Sequence, residues 1–103
     1  MKVTVTGAGG VLGRGLVARL LSEGYDVTGI SRQRPESWPS AARFVTADIR
    51  DAGAVRDAVA GAKVVAHCVP ARSSDDVQGA ANLLAAIVET GGQRVVFTSS
   101  AQV

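Results

Sequence analysis

Lys2-Val3-Thr4-Val5-Thr6-Gly7-Ala8-Gly9-Gly10-Val11-Leu12-Gly13, at the start of the chain, sets the architecture of everything after it. Residues 2–6 are rich in β-branched side chains and alternate little, as expected of a strand buried on both faces. Three closely spaced glycines follow, and then a helix whose apolar positions are Leu12, Leu16, Val17, Leu20 and Leu21. Strand, glycine turn and helix together form an arrangement that holds the pyrophosphate of a dinucleotide. The start of the helix offers N–H groups without intrahelical partners and the positive end of its dipole. Glycine lets the backbone turn tightly and come close to phosphate oxygens, an approach that a side chain would block.

Gly7, Gly10 and Gly13 are spaced G-x-x-G-x-x-G. The ordinary G-x-G-x-x-G frame, counted from Gly7, would place Leu12 on its third glycine, so that fingerprint is not present. A glycine turn used only for close strand–helix packing is the alternative. The residues Thr6-Gly7-Ala8-Gly9-Gly10-Val11-Leu12-Gly13 resemble the T-G-x-x-G-x-x-G of short-chain dehydrogenases/reductases. The chain is most similar to their extended group, the NAD-dependent epimerase/dehydratase family. The resemblance makes Gly7, Gly10, Val11, Leu12 and Gly13 the candidate pyrophosphate-binding residues.

With 103 residues the chain is expected to be a single small domain over 1–103, with 47% apolar residues for its core and only 4% aromatics. The net charge of +2 comes from arginines scattered along the chain, which suits a solvated surface better than nucleic-acid binding. No apolar run is long enough to span a membrane, and the first residues read as a strand rather than a signal peptide. The single cysteine, Cys68, has no partner for an internal disulfide. A soluble, cytoplasmic protein is the simplest expectation.

Reading onward, the first helix is expected over 10–23 with Gly24 as its stop, and the second strand over 25–31. The end of that second strand bears on cofactor choice, because NAD-binding relatives place a carboxylate there to accept from the adenosine ribose hydroxyls. This chain has Ser31 and Arg32, then Gln33 and Arg34. A hydroxyl and guanidinium groups suit a 2′-phosphate, so NADP(H) is favoured and NAD(H) remains possible. Solvated loop arginines are the plainer alternative. Pro35 and Pro39 argue against a full helix in the next connection. Trp38 either covers the sheet where that helix is missing or lies near an adenine.

The third strand, 43–47, runs into Asp48-Ile49-Arg50-Asp51. The family resemblance gives Asp48 the role of accepting from the adenine amino group, with Ile49 against the base. Asp51 suits the N-cap of a helix over 52–60 whose stripe is Val55, Ala58 and Val59, with Gly61 as its stop. The fourth strand, Lys63-Val64-Val65-Ala66-His67-Cys68-Val69-Pro70, resembles a family stretch, V-V-x-H-x-A-A, that ends under the nicotinamide ribose. That implies a cofactor contact at Cys68 and Val69, although Val69 is larger than the usual alanine. His67 is expected to be buried and hydrogen-bonded, and Cys68 to be a small buried residue.

Asp75 or Asp76 is expected to cap a helix running to Thr90, with Leu83, Leu84, Ile87 and Val88 facing the sheet and Gly91-Gly92 ending it. Within it, Val77-Gln78-Gly79-Ala80-Ala81-Asn82-Leu83-Leu84 is similar to the family's V-x-G-x-x-N-L-L. The fifth strand, Arg94 to Ser100, resembles the family strand ending in Ser-Ser, which implies the catalytic Ser/Thr position for Ser100, with a strand-end serine without chemistry as the alternative. The family's proton relay is the tyrosine and lysine of Y-x-x-x-K. Here the one tyrosine is Tyr25, the residue four places on is Gly29, and the only lysines are Lys2 and Lys63, so the relay cannot be formed.

The expected fold is therefore α/β and Rossmann-like: a doubly wound parallel sheet of strand order 3-2-1-4-5, truncated after strand five. The ligand belongs at the carboxyl ends of strands one and four. Val95, Val96 and Phe97 would form an exposed edge, which suggests a homo-oligomer or another partner there. The leading function is the NADP(H)-binding portion of a dehydrogenase, epimerase or dehydratase, inactive on its own. A non-enzymatic NADP sensor and a minimal Rossmann scaffold without useful affinity are the alternatives.

Overall fold

The computed structural model describes residues 1–69, 74–90 and 94–97. Its elements, in chain order, are β1 (Lys2–Thr6), α1 (Val11–Ser22), β2 (Asp26–Ser31), β3 (Arg43–Thr46), α2 (Ala52–Val59), β4 (Val64–His67), α3 (Ser74–Thr90) and β5 (Arg94–Phe97). The five strands form one parallel sheet in the order β3-β2-β1-β4-β5, as expected from the sequence. The strand order reverses between β1 and β4. Their carboxyl ends, Thr6 and His67, stand opposite each other in register.

Alternation along each strand divides the core between two faces. Val3 and Val5 of β1, Val27 of β2 and Ala66 of β4 meet Val17, Leu16, Leu20 and Leu21 of α1 on one face. On the other face Val65 meets Val55 and Val59 of α2 and Leu83 and Ala86 of α3. Leu83 is fully buried, so truncating it to alanine is expected to cost about 2–5 kcal/mol.

Local chemistry sets the ends of the helices. Gly24 takes φ +85°, and the N–H groups of Gly24 and Tyr25 reach back to the carbonyls of Leu21 and Leu20 at 3.1 Å each, which closes α1 in a Schellman motif. Asp51 accepts from the Ala54 N–H at 3.2 Å and caps α2, as its position predicts. The connection from β2 to β3 contains no helix. Trp38 fills that space instead. It is buried, donates from Nε1 to the Ala42 carbonyl at 2.9 Å and stands edge-on to Phe44 at 4.8 Å. Its ring lies so close over Gly29 that a Cβ there would collide with it. The covering role is the one the structure supports.

Two expectations for the third helix need correction. It begins at Ser74, so Asp75 and Asp76 lie inside its first turn and do not precede it as caps. Its buried face is Gly79, Leu83 and Ala86, with Ile87 half-buried, whereas Leu84 is 47% and Val88 83% exposed. The small residues Gly79 and Ala86 let α3 approach its neighbours, and that rotation turns Leu84 and Val88 outward. Residue size, rather than a run of large apolar residues, marks the inward face. The expected Gly91-Gly92 stop and the loop of residues 70–73 lie outside the described residues.

Candidate functional site

The carboxyl ends of β1, β2, β3 and β4 enclose an open cleft of about 390 Å³. Its walls include Thr6, Gly7 and Gly10 from the first turn, Ser31 and Arg32 from the end of β2, Asp48, Ile49 and Arg50 after β3, and Cys68 and Val69 after β4. Backbone hydrogen bonds tie these ends together. Ala8 N–H donates to the Ile30 carbonyl at 3.1 Å, Ala47 N–H to Ser31 at 3.0 Å, and Cys68 N–H to Thr6 at 3.2 Å.

The glycine turn has a separate physical requirement at each of its principal positions. Gly7 sits at φ +67°, in the left-handed region, and a Cβ on it would lie 2.8 Å from the Cys68 carbonyl oxygen. A Cβ on Gly13 would collide with the carbonyl of Gly7, so α1 packs directly against the turn. Gly10 N–H donates to the Gly7 carbonyl at 3.1 Å and closes the turn. Gly10 is also the N-cap of α1 and offers no side chain to its first-turn N–H groups. Val11 and Leu12, the first residues of the helix, are 84% and 58% exposed. The turn therefore presents helix N–H groups that no N-cap side chain occupies, a chemistry that fits a pyrophosphate.

Gly9 was not among the residues expected at the site. A Cβ on it would lie 2.9 Å from the Ser31 hydroxyl, so it brings the glycine turn against the end of β2. Ser31, the last residue of β2, and Arg32, the residue after it, line the cleft.

Asp48 is more constrained than its sequence position indicates. Its Oδ1 accepts from the Arg50 N–H at 2.9 Å in an Asx-type turn, and its main-chain carbonyl accepts from Asp51 N–H at 2.8 Å. The Arg50 guanidinium also grips the carboxylate, from Nε to Oδ1 at 3.1 Å and from Nη2 to Oδ2 at 2.6 Å. These hydrogen bonds from the Arg50 side chain and backbone lower the Asp48 pKa from the ordinary 3.8 to about 2, and the charges of Arg50 and Arg32 act in the same direction.

Behind this turn stands α3. Asn82 Nδ2 donates to the carbonyls of Ile49 at 3.1 Å and Arg50 at 2.9 Å, while Gln78 Nε2 donates to Asn82 Oδ1 at 3.0 Å. Gly79 makes room for Ile49, since a Cβ on it would come within 2.5 Å of Ile49 Cγ2. The glycine and asparagine of the Val77–Leu84 stretch therefore act on the Asp48–Arg50 turn. That connection was not visible in the sequence, because α3 and the turn are far apart along the chain.

His67 is buried and hydrogen-bonded, with Nδ1 2.6 Å from Thr6 Oγ1. Cys68 is half-buried on the cleft wall rather than fully enclosed, because it has already passed the end of β4; burial still pushes its thiol pKa up. Ser100 lies outside the described residues. Among the described residues there is no cluster of metal-ligating side chains, and no helix is long and apolar enough to cross a membrane.

A parallel 3-2-1-4-5 sheet, with a glycine turn opening α1 and a cleft where the strand order reverses, defines a Rossmann-like α/β protein. The family model for the NAD dependent epimerase/dehydratase family matches residues 3–103, and the chain belongs to that family. It is 60% identical to an uncharacterized protein of Mycobacterium tuberculosis, over 97% of this chain and 12% of that protein. It is 35% identical to cinnamoyl-CoA reductase 1 of Oryza sativa, over 95% of this chain and 34% of the reductase. Among solved structures, uronate dehydrogenase from Agrobacterium tumefaciens superposes with a TM-score of 0.81 at 30% identity, over 96% of this chain and 40% of that one. UDP-glucose 4-epimerase from Thermus thermophilus, in complex with NAD, superposes with a TM-score of 0.83 at 28% identity, over 96% and 37%. The chain thus spans about an eighth to two-fifths of the proteins it matches.

Proposed function

We propose that this chain is the NADP(H)-binding portion of an epimerase/dehydratase-family oxidoreductase, epimerase or dehydratase. The observation that carries the reading is the end of β2. Ser31 and Arg32 line the cleft at the position where a carboxylate would repel a 2′-phosphate. A hydroxyl and a guanidinium there recognise that phosphate by charge-assisted hydrogen bonds. The uncapped start of α1 takes the pyrophosphate, the Asp48–Ile49 turn takes the adenine, and Cys68 and Val69 lie toward the nicotinamide ribose. The related uronate dehydrogenase and UDP-glucose 4-epimerase structures were solved with NAD, which supports a dinucleotide as the ligand class.

When bound, the dinucleotide supplies the hydride chemistry, and these residues bind and orient it. The single tyrosine and the two lysines stand away from the cleft. Tyr25, Lys2 and Lys63 all lie at the amino ends of β2, β1 and β4, opposite the carboxyl ends that form the cleft. None is placed to act as the tyrosine–lysine relay, so the 103-residue chain holds the cofactor without turning over a substrate.

Calorimetric titration with NADPH and NADH in parallel tests this, with Arg32→Asp as the control. The expected result is tighter NADPH binding, with a loss of roughly 1–3 kcal/mol of that preference in the variant. Equal affinity for the two cofactors overturns the 2′-phosphate assignment and leaves an NAD(H) site. Failure of the folded chain to bind either one overturns the cofactor reading altogether.

A further inference from the structure

We infer that Arg50 is a positioning residue for adenine recognition: its grip on Asp48 holds that carboxylate as a fixed acceptor for the exocyclic amine of the base. The inference rests on the dinucleotide reading above and adds a residue and a base specificity to it.

An ionised carboxylate offers about four acceptor positions. Arg50 uses Oδ1 twice, through its backbone N–H at 2.9 Å and its Nε at 3.1 Å. It uses Oδ2 through Nη2 at 2.6 Å, with Nε shared at 3.2 Å. Nε–H is one donor shared between the two oxygens, so three N–H groups take three of the four positions and one acceptor direction on Oδ2 is left over. The carboxylate side chain is 33% exposed and lines the cleft, so a ligand can reach it.

The grip also removes freedom. A lone aspartate at the rim of a cleft samples several rotamers. Asp48 is held by a backbone N–H and a two-pronged guanidinium whose own main chain is pinned by Asn82 at 2.9 Å. As an ionised carboxylate it presents only an acceptor. An acceptor that cannot become a donor selects a base carrying an amine at that position and rejects one carrying a carbonyl oxygen. Adenine has the amine and hypoxanthine has the oxygen.

A direct bond between Arg50 and a ligand phosphate would give a different outcome. Arg50 lines the same cleft, and removing such a bond would weaken every dinucleotide alike, whatever its base. Removing a positioning role changes the ratio between bases.

The test measures binding of NADPH and of its hypoxanthine analogue to the native chain and to Arg50→Met and Arg50→Lys. Arg50 is about half exposed, so its removal leaves the core intact. The native chain is expected to favour the adenine form by roughly tenfold or more, the scale of one charge-assisted hydrogen bond. In Arg50→Met the ratio should fall to within about threefold of unity, and Arg50→Lys, which restores the charge without the fork, should recover part of it. Carbon-13 NMR of the Asp48 carboxyl should show its pKa rising from about 2 toward 3.8 in Arg50→Met. An unchanged base ratio in Arg50→Met overturns the inference, even if overall affinity drops. Tighter adenine binding in that variant overturns it too, because Arg50 would then be competing with the base. If the native chain binds neither dinucleotide, the cofactor reading itself fails and this inference falls with it; a native chain that binds both equally overturns the inference alone.

Discussion

Thr6 Oγ1 and His67 Nδ1 lie 2.6 Å apart, on neighbouring strands at the point where the sheet reverses its order, and both residues are buried. Thr6→Val removes the hydroxyl while keeping the shape of the side chain, so the imidazole nitrogen no longer meets an oxygen there. The variant is expected to destabilise the fold by about 1–3 kcal/mol, the penalty for a desolvated polar atom deprived of its hydrogen bond. Urea unfolding of the two proteins checks it, and an unchanged midpoint would show that the pair contributes nothing.

The same substitution should have the opposite sign two register positions back along β1. Thr4 and Thr28 face each other across β1 and β2, and both hydroxyls are buried without a hydrogen-bond partner. Thr4→Val and Thr28→Val each remove a desolvated polar atom and put a methyl group in its place. Each is expected to stabilise the chain by about 1 kcal/mol or to leave it unchanged. A clear fall in stability for either variant, measured by the same unfolding experiment, contradicts this expectation.

Gly79→Ala sets helix propensity against packing. Alanine is better than glycine in a helix interior by about 1 kcal/mol. Here its Cβ would come within 2.5 Å of Ile49 Cγ2, and overpacking of this kind typically costs about 1–3 kcal/mol. The net effect should be destabilising, with weaker dinucleotide binding as Ile49 is pushed into the cleft. Combining Gly79→Ala with Ile49→Ala should cost less than the sum of the two single changes, and a double-mutant cycle measures the coupling.

The Asp48–Arg50 pair predicts an acid-dependent stability. The folded-state pKa of Asp48 is depressed from 3.8 to about 2. Its stabilising contribution is thus fully present above the unfolded value and disappears as pH falls from 3.8 through about 2. The stability difference between the native chain and Asp48→Asn should be constant down to about pH 5 and shrink below pH 4. A difference that stays flat to pH 2 would show that the pair does not hold in solution.

Much of this architecture is legible in the residues because its signals are local. Val3 and Val5 lead into Gly7, and the apolar spacing of Leu16, Val17 and Leu20 then gives the strand–turn–helix order. Gly24 at a helix end and Asp51 at a helix start act within one turn of their own positions. The prolines at 35 and 39 remove a helix by removing backbone donors. The positions of Ser31 and Asp48 in the cleft follow once each strand end is placed, since carboxyl ends gather on one edge of a parallel sheet.

Other features depend on how elements rotate and which of them meet. Leu84 and Val88 look like core residues in the sequence, and the turning of α3 toward Ile49 through Gly79 and Ala86 places them outside. Gly9 meets Ser31 only because β1 and β2 pair in register.

The succession of elements and the residues that end each strand are written in the amino-acid sequence, because periodicity, caps and turn chemistry are encoded over a few neighbouring positions. The rotation of α3, the Asn82 brace on the Asp48–Arg50 turn and the pairing of Thr6 with His67 arise only in the folded chain. Each of these depends on side chains that are distant along the chain and are brought within hydrogen-bonding or van der Waals range only when the sheet and its helices close together.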